Sequence, residues 1–118
     1  MVLIKREAAN TLKKMAKSYP VVTVVGPRQV GKTTLTRDVF SDKPYVNLEE
    51  PDVLEFAIND SRGFINQFPD GAILDEVQNA PKLLSYIQAI VDRENKSGQF
   101  ILTGSQQIDL GAAISQSF

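Results

Sequence analysis

The chain alternates short apolar runs with longer segments whose apolar positions recur at helical spacing. The apolar runs, such as VVTVV, predict strands over residues 21–25, 45–48, 72–75 and 100–103. Helical spacing of apolar side chains predicts helices over residues 2–17, 32–40, 51–59 and 81–93. Strands that alternate with helices are joined by crossover connections. The pattern therefore predicts an α/β domain with a mainly parallel sheet flanked by helices.

Composition narrows the chemistry that this domain can perform. The 118-residue chain is long enough for one domain, has no cysteine and no histidine, and carries a formal net charge of -1. Thiolate and imidazole chemistry is thereby excluded, so a metal would need oxygen ligands, which favours Mg²⁺. No apolar run approaches the roughly 20 residues needed to span a bilayer. We expect a cytoplasmic protein with no membrane partner, and the charge does not point to nucleic acid as its main ligand.

One segment fits the phosphate-binding pattern G-x-x-x-x-G-K-[ST] at every fixed position. It consists of Gly26, Pro27, Arg28, Gln29, Val30, Gly31, Lys32 and Thr33. It follows a predicted strand and opens a predicted helix, where backbone N–H groups and the positive helix end favour phosphate. We expect Lys32 to reach the β- and γ-phosphates, Thr33 to offer a hydroxyl to Mg²⁺, and Thr34 to contact the α-phosphate. The segment predicts a site for a nucleoside triphosphate, with ATP and Mg²⁺ as the ligands.

An acidic pair closes the third predicted strand. Asp75 and Glu76 follow an apolar run at the carboxyl end of a parallel strand, where open α/β sheets place their sites. We expect Asp75 to hold Mg²⁺, usually through water, and Glu76 to polarise the water that attacks the γ-phosphate. Such a pair alone is usually solvated surface, and its place downstream of a phosphate-binding segment favours the functional interpretation.

Four further residues have two interpretations each. Thr103 and Ser105 end the last predicted strand, where they would contact the γ-phosphate or orient the attacking water. The alternative is that Thr-Gly-Ser is ordinary turn chemistry. Arg28 and Gln29 lie within the phosphate-binding segment and are candidates for phosphate contacts, although side chains at such positions commonly face solvent.

The leading hypothesis is an ATPase, and three alternatives are open. A nucleotide-binding module that does not hydrolyse would use the same segment as a regulatory or interaction fragment. A small-molecule kinase is less favoured, because an acidic pair after the strand suits activation of water better. A GTPase is disfavoured, because the sequence has no N-K-x-D motif to read the base.

Four segments, GPRQVGKTTL, YVNLEEPD, AILDEVQNAP and FILTGSQQ, together resemble one family. They are similar to the ATPase domain of bacterial and archaeal AAA-type proteins that carry a C-terminal domain of unknown function. The resemblance implies a P-loop NTPase fold with Walker A at residues 26–33, Walker B at Asp75 and Glu76, and a sensor at residues 103–105. It also implies that the strand ending at Thr103 lies between the strands ending at Val25 and Asp75. Nucleic acid as a partner follows from this family analogy alone.

Proteins of that family continue beyond the point where this chain ends. The resemblance therefore implies that residues 1–118 form one incomplete AAA-like domain, lacking the fifth strand and the C-terminal lid. We expect an amphipathic helix over residues 1–20, a nucleotide-binding core over 21–105 and a C-terminal segment over 106–118. A missing fifth strand would leave strand 21–25 as an uncovered sheet edge, through which the chain would self-associate. Turnover is expected to be slow, because no arginine finger is identifiable.

Overall fold

The computed structural model describes residues 2–26, 31–105 and 115–117 of the chain. The strands are β1 (Val21–Val25), β2 (Tyr45–Asn47), β3 (Ala72–Asp75), β4 (Phe100–Gly104) and β5 (Ser115–Ser117). The helices are α1 (Val2–Ser18), α2 (Lys32–Val39), α3 (Pro51–Asn59), α4 (Ser61–Asn66) and α5 (Lys82–Glu94), with a 3-10 helix over Val77–Asn79. All predicted strands and helices are confirmed, with ends shifted by no more than a residue.

The strands form one sheet in the order β2-β3-β4-β1-β5, and every described pair of neighbours is parallel. Strand β4 lies between β1 and β3, as the resemblance implies. Phe100 stands opposite both Val21 of β1 and Ala72 of β3, so these three strands start level. Their carboxyl ends consequently meet at the same edge of the sheet.

The expectation of a missing fifth strand is wrong. Ser115–Ser117 pairs in parallel with β1, from Val21 opposite Ser115 to Thr23 opposite Ser117. The first three residues of β1 are therefore paired on both sides, which removes the structural basis for self-association through an uncovered β1 edge. The strand is short and its sequence, SQS, is polar, so no apolar run marks it in the sequence.

Two hydrophobic clusters cover the two faces of the sheet. Alternate residues of each strand point to opposite faces, so Val21, Leu74 and Leu102 pack toward α3, α4 and α5. Val22, Ile73 and Ile101 pack toward α1 and α2. The result is a three-layer α/β/α arrangement, and none of the helices in the described ranges is long and apolar enough to cross a membrane.

Helix α4 was not predicted. It begins at Ser61, directly after Asp60, which is both the C-cap of α3 and the N-cap of α4. The Asp60 side chain accepts a hydrogen bond from the Gly63 N–H at 3.1 Å. Phe64 of this helix makes edge-on ring contacts with Phe56 and Phe68 at 5.5 Å and 5.6 Å between centroids. Six residues are too few for helical periodicity to stand out, although Phe64 and Ile65 are both buried.

Candidate functional site

The candidate site is built where β1 ends and α2 begins. The Gly26 N–H donates to the Gly104 carbonyl at 3.1 Å, which keeps β1 beside β4 up to the first residue of the predicted phosphate-binding segment. Gly31 caps α2 in the left-handed region, with φ 77° and ψ 29°. No described atom lies within 4 Å of the place where a Cβ would stand, so the backbone angle is what requires glycine there. Pro27, Arg28, Gln29 and Val30 lie outside the described residues.

Lys32 places a buried cation at this edge of the sheet. Its side chain is 3% exposed, and its ammonium donates to the Gly26 carbonyl at 2.5 Å. The same Nζ lies 3.8 Å from Oε2 of Glu76. A buried ammonium requires partners of this kind, because its charge has lost most of its water. Lys32, the predicted phosphate-binding lysine, therefore lies inside the site and is paired with Glu76, one of the two predicted acidic residues.

Asp75 accepts hydrogen bonds from three hydroxyl groups. Thr33 donates to Oδ2 at 2.8 Å, and the Tyr45 hydroxyl donates to the same oxygen. Thr103 donates to Oδ1. The donors come from α2, β2 and β4, so three elements fix the orientation of one carboxylate at the end of β3. The predicted metal-binding pair, Thr33 and Asp75, is in direct contact although 42 residues separate the two positions.

These contacts hold Asp75 in its ionised form. Burial acts to raise the pKa of this carboxyl group, and it is opposed by the hydrogen bonds from Thr103, Tyr45 and Thr33 and by the charge of Lys32. The opposing contributions prevail, so the pKa lies below its ordinary value. The site therefore presents a carboxylate rather than a carboxylic acid at neutral pH.

The oxygens gathered at Thr33 and Asp75 fit Mg²⁺. Magnesium prefers oxygen ligands, often one or two protein side chains completed by water and substrate phosphates. Within the described ranges, no three acidic side chains gather into a cage that would hold a metal by itself. One ionised carboxylate and one hydroxyl at a helix N-terminus match the sparse donor set that magnesium uses beside a phosphate ligand.

Both the backbone N–H and the carboxylate of Glu76 have defined partners. Its backbone is left-handed, with φ 56° and ψ 50°, which is uncommon for a residue with a side chain. Its N–H donates to Oγ1 of Thr103 at 3.1 Å. Its Oε1 accepts from Gln78 Nε2 at 2.7 Å and from Ser105 Oγ at 3.3 Å, while Oε2 faces Lys32. The side chain is almost wholly buried, so these contacts rather than solvent determine its orientation.

The structure brings the predicted sensor residues to the acidic pair. The Thr103 hydroxyl donates to Asp75 and accepts from the Glu76 N–H, so one side chain contacts both acidic residues. Ser105 contacts the Glu76 carboxylate. The roles of Thr103 and Ser105 toward a γ-phosphate or an attacking water stay predictions.

Comparison with known proteins places this geometry in a family. Residues 18–118 match the protein family described as the AAA domain. The chain belongs to the AAA domain family. Two uncharacterized proteins, one from Mycobacterium bovis and one from Mycobacterium tuberculosis, are each 30% identical to it over 118 residues. The matches cover 99% of this chain and 27% of each relative, so the chain spans little more than a quarter of their length.

Solved structures share the fold of this AAA domain. A DNA replication initiation factor has a TM-score of 0.57 at 16% identity, covering 97% of this chain and 43% of that one. A Walker-type ATPase of Pyrococcus abyssi has a TM-score of 0.55 at 19% identity, covering 86% and 45%. PCH-2 of C. elegans has a TM-score of 0.56 at 16% identity, covering 97% and 41%. The chain thus has the AAA-type P-loop fold, as its sequence motifs predict.

Two residues of the AAA domain's site were missed from sequence. Tyr45 starts β2 opposite Ile73 of β3, and Asp75 lies two residues farther along β3 on the same face. The phenol can therefore reach that carboxylate, but only strand pairing reveals it. Gln78 follows the acidic pair within DEVQ, and nothing in its residue type indicates that it turns back toward Glu76.

A cleft of about 740 Å³ opens beside the AAA domain's candidate site. Thr34, whose predicted role is a contact with the α-phosphate, is exposed and lines this cleft together with Thr33. The Arg37 guanidinium lies 4.3 Å from the centroid of the Tyr45 ring on the same wall. Space for a ligand therefore adjoins the Thr33–Asp75 contact on the α2 side.

Proposed function

We propose that this chain binds ATP together with Mg²⁺ and hydrolyses the bond to the γ-phosphate. The hydrogen bond between Thr33 and Asp75 is the observation that supports this most directly. It joins the predicted phosphate-binding segment to the predicted acidic pair across 42 residues of sequence. The parts needed for binding and the parts needed for hydrolysis therefore share one edge of the sheet.

Phosphate binding is assigned to the phosphate-binding segment, whose last two residues, Lys32 and Thr33, begin α2. A helix N-terminus presents unpaired N–H groups and the positive end of its dipole, both of which favour an anion. Lys32 adds a full positive charge at that position. In the proposed complex its ammonium leaves Glu76 and donates to phosphate oxygens, so one anionic partner replaces another.

Thr33 and Asp75 would hold the magnesium ion. The Thr33 hydroxyl uses its hydrogen toward Asp75, which leaves its oxygen lone pairs free to face a cation. Tyr45 and Thr103 keep the carboxylate oriented meanwhile. When bound, the ion neutralises charge on the β- and γ-phosphate oxygens.

Glu76 is the proposed general base. The oxygen of a water molecule forms a bond to the γ-phosphorus while the bond from that phosphorus to the bridging oxygen breaks, which releases ADP and phosphate. The proton of the water passes to the Glu76 carboxylate. Its Oε2 becomes available when Lys32 turns to the phosphates, so substrate binding itself prepares the base.

A second function, nucleotide binding without hydrolysis, is favoured by a specific observation. Both oxygens of Glu76 already have partners: Lys32 faces Oε2, and Gln78 and Ser105 contact Oε1. If these contacts persist with nucleotide bound, Glu76 does not accept a proton and the chain acts as a binding module. The task that a longer protein would couple to this site is a separate proposal, because the chain spans 27% of its curated relatives.

Two variants separate hydrolysis from binding alone. We expect Glu76→Gln to reduce magnesium-dependent phosphate release by about 100-fold or more, because the general base is lost. Its affinity for ATP should be equal or higher, because the competing charge beside Lys32 is removed. Lys32→Ala should lose ATP affinity by about tenfold or more, equivalent to ~1.4 kcal/mol. Phosphate release is followed by a coupled colorimetric assay and ATP binding by calorimetry.

The control is Glu55→Gln, the same change at an exposed position on α3, which should match wild type in both assays. Equal, background phosphate release from wild type and Glu76→Gln with intact ATP binding would establish the non-hydrolysing function instead. Unchanged ATP affinity in Lys32→Ala would contradict the assignment of the phosphate-binding segment.

A further inference from the structure

Gln78 forms a closed set of hydrogen bonds with Glu76 and Ser105. Its Nε2 donates to Oε1 of Glu76 at 2.7 Å and to Oγ of Ser105 at 3.1 Å. Ser105 in turn donates to the same Glu76 oxygen at 3.3 Å. The three side chains, which we call the Gln78 triangle, join the end of β3 to the end of β4 across 27 residues of sequence.

The amide of Gln78 is oriented by these two contacts. Both hydrogens of its nitrogen are used, while its oxygen is buried and accepts no hydrogen bond from any described residue. A buried acceptor without a donor costs on the order of 1–3 kcal/mol. The opposite orientation would turn the amide oxygen toward the Glu76 carboxylate, where two acceptors would repel each other. Among the described residues, the amide nitrogen of Gln78, and not its oxygen, is therefore the atom directed at Glu76.

The Gln78 triangle engages one oxygen of the Glu76 carboxylate and leaves the other to Lys32. Oε1 has two neutral donors, whereas Oε2 has the ammonium of Lys32 at 3.8 Å. Of these partners, only the Lys32 ammonium moves to the phosphates in the proposed reaction. When the ammonium moves to phosphate, Oε1 stays fixed and Oε2 is exposed toward the substrate.

We propose that Gln78 is the positioning residue for Glu76, holding Oε1 with the help of Ser105 so that Oε2 accepts the proton of the attacking water. This inference rests on the proposed ATPase function. It assigns Ser105 to the carboxylate rather than to the phosphate. The 3-10 helix that carries Gln78 begins directly after Glu76, whose backbone is left-handed.

The test uses Gln78→Met, which keeps the length of the side chain and removes both donors. We expect kcat for phosphate release to fall by about tenfold or more while KM and the calorimetric ATP affinity stay within about twofold, because only the base is misaligned. Thermal unfolding should match wild type. The control Gln88→Met makes the same change at an exposed position on α5 and should leave every parameter unchanged.

A second measurement distinguishes positioning from general damage. Ser105→Ala should lower kcat by about threefold, and the double variant should be no slower than Gln78→Met, because both residues act through the same oxygen. If the kcat losses of Ser105→Ala and Gln78→Met multiply in the double variant, the proposal is overturned. A wild-type kcat in Gln78→Met, or a loss of ATP affinity in that variant, would overturn it as well. Those outcomes leave the proposed function standing if Glu76→Gln still abolishes turnover. Absence of phosphate release from wild type would instead refute the proposed hydrolysis, and this inference with it.

Discussion

Thr103 shows how much of the site depends on one hydroxyl group. Its side chain is fully buried, donates to Asp75 and accepts from the N–H of Glu76. A threonine hydroxyl has one hydrogen and two lone pairs, so it can do both at once. The two acidic residues, which have separate proposed roles, are therefore oriented by a common partner on the neighbouring strand.

Replacing Thr103 by valine keeps the shape of the side chain and removes the hydroxyl. We expect Thr103→Val to lower the free energy of unfolding by about 1–3 kcal/mol, because the Glu76 N–H and one oxygen of Asp75 lose a buried partner. Thr103→Ser keeps the hydroxyl and should lose only about 1 kcal/mol for the deleted methyl group. Urea unfolding measures both. Valine and wild-type proteins of equal stability would contradict the bridging role.

Tyr45 makes the stability of the folded protein depend on pH in the alkaline range. Burial and the hydrogen bond to the Asp75 carboxylate raise the pKa of this phenol well above its ordinary value. The folded state therefore keeps a proton that the unfolded state loses near pH 10. The stabilisation from Tyr45 is fully present below that pH and is lost as pH rises beyond it.

The variant Tyr45→Phe has no phenolic proton at this position. Wild type should exceed it in unfolding free energy at about pH 8, and the difference should shrink by about pH 10.5, on either side of the ordinary tyrosine pKa of about 10. Tyr86→Phe, which makes the same change at a half-buried position on α5, serves as the control. A difference that is constant or grows with pH would show that Tyr45 does not hold its proton as argued.

At the scale of elements, Gly71 before β3 and Gly31 before α2 each require glycine, but for different physical reasons. Gly71 precedes β3 with φ 90°, and a Cβ there would stand 1.6 Å from the carbonyl oxygen of Gln99, which precedes β4. Gly31 precedes α2 with φ 77°, and no described atom would meet its Cβ. The first glycine is required by close approach as well as by backbone angle, and the second by angle alone.

The two alanine substitutions should therefore differ in cost. We expect Gly31→Ala to destabilise the fold by about 1–2 kcal/mol, the usual cost of a left-handed backbone for a residue with a Cβ. Gly71→Ala should destabilise by more than about 4 kcal/mol, because the backbone of β3 or β4 must also move. Thermal unfolding in the absence of nucleotide compares them directly. Equal losses would mean that the approach of Gly71 to Gln99 relaxes easily.

At the scale of the whole molecule, the sequence predicts those strands and helices whose apolar residues recur with a regular spacing. The strand VVTVV and the helix opening at Lys32 were predicted because burial on both sheet faces and helical spacing leave plain marks. The short α4 and the polar β5 leave none, since six residues and three residues are too few to show a period. Sequence motifs, together with the strand order that the family resemblance implies, also grouped Lys32, Asp75 and Thr103 as candidates for one site.

Two contacts of the site, those made by Tyr45 and Gln78, were beyond prediction from the sequence. Tyr45 reaches Asp75 only because β2 pairs with β3 in a particular register. Gln78 contacts Glu76 from a 3-10 helix that begins directly after Glu76, whose left-handed backbone is not predicted by its residue type. The first contact depends on strand pairing, and the second follows a backbone conformation that is uncommon for a residue with a side chain.

The position of β1 in the sheet also sets the order in which this chain can fold. Strand β1 is complete at Val25, but its partners begin at Phe100 and Ser115. On the ribosome, which releases roughly 5–20 residues each second, the VVTVV segment emerges several seconds before any strand can pair with it. During that interval the most β-branched stretch of the protein is an apolar strand with two free edges. The same arrangement that centres the candidate site therefore leaves the nascent chain open to aggregation through β1 until its partner strands are made.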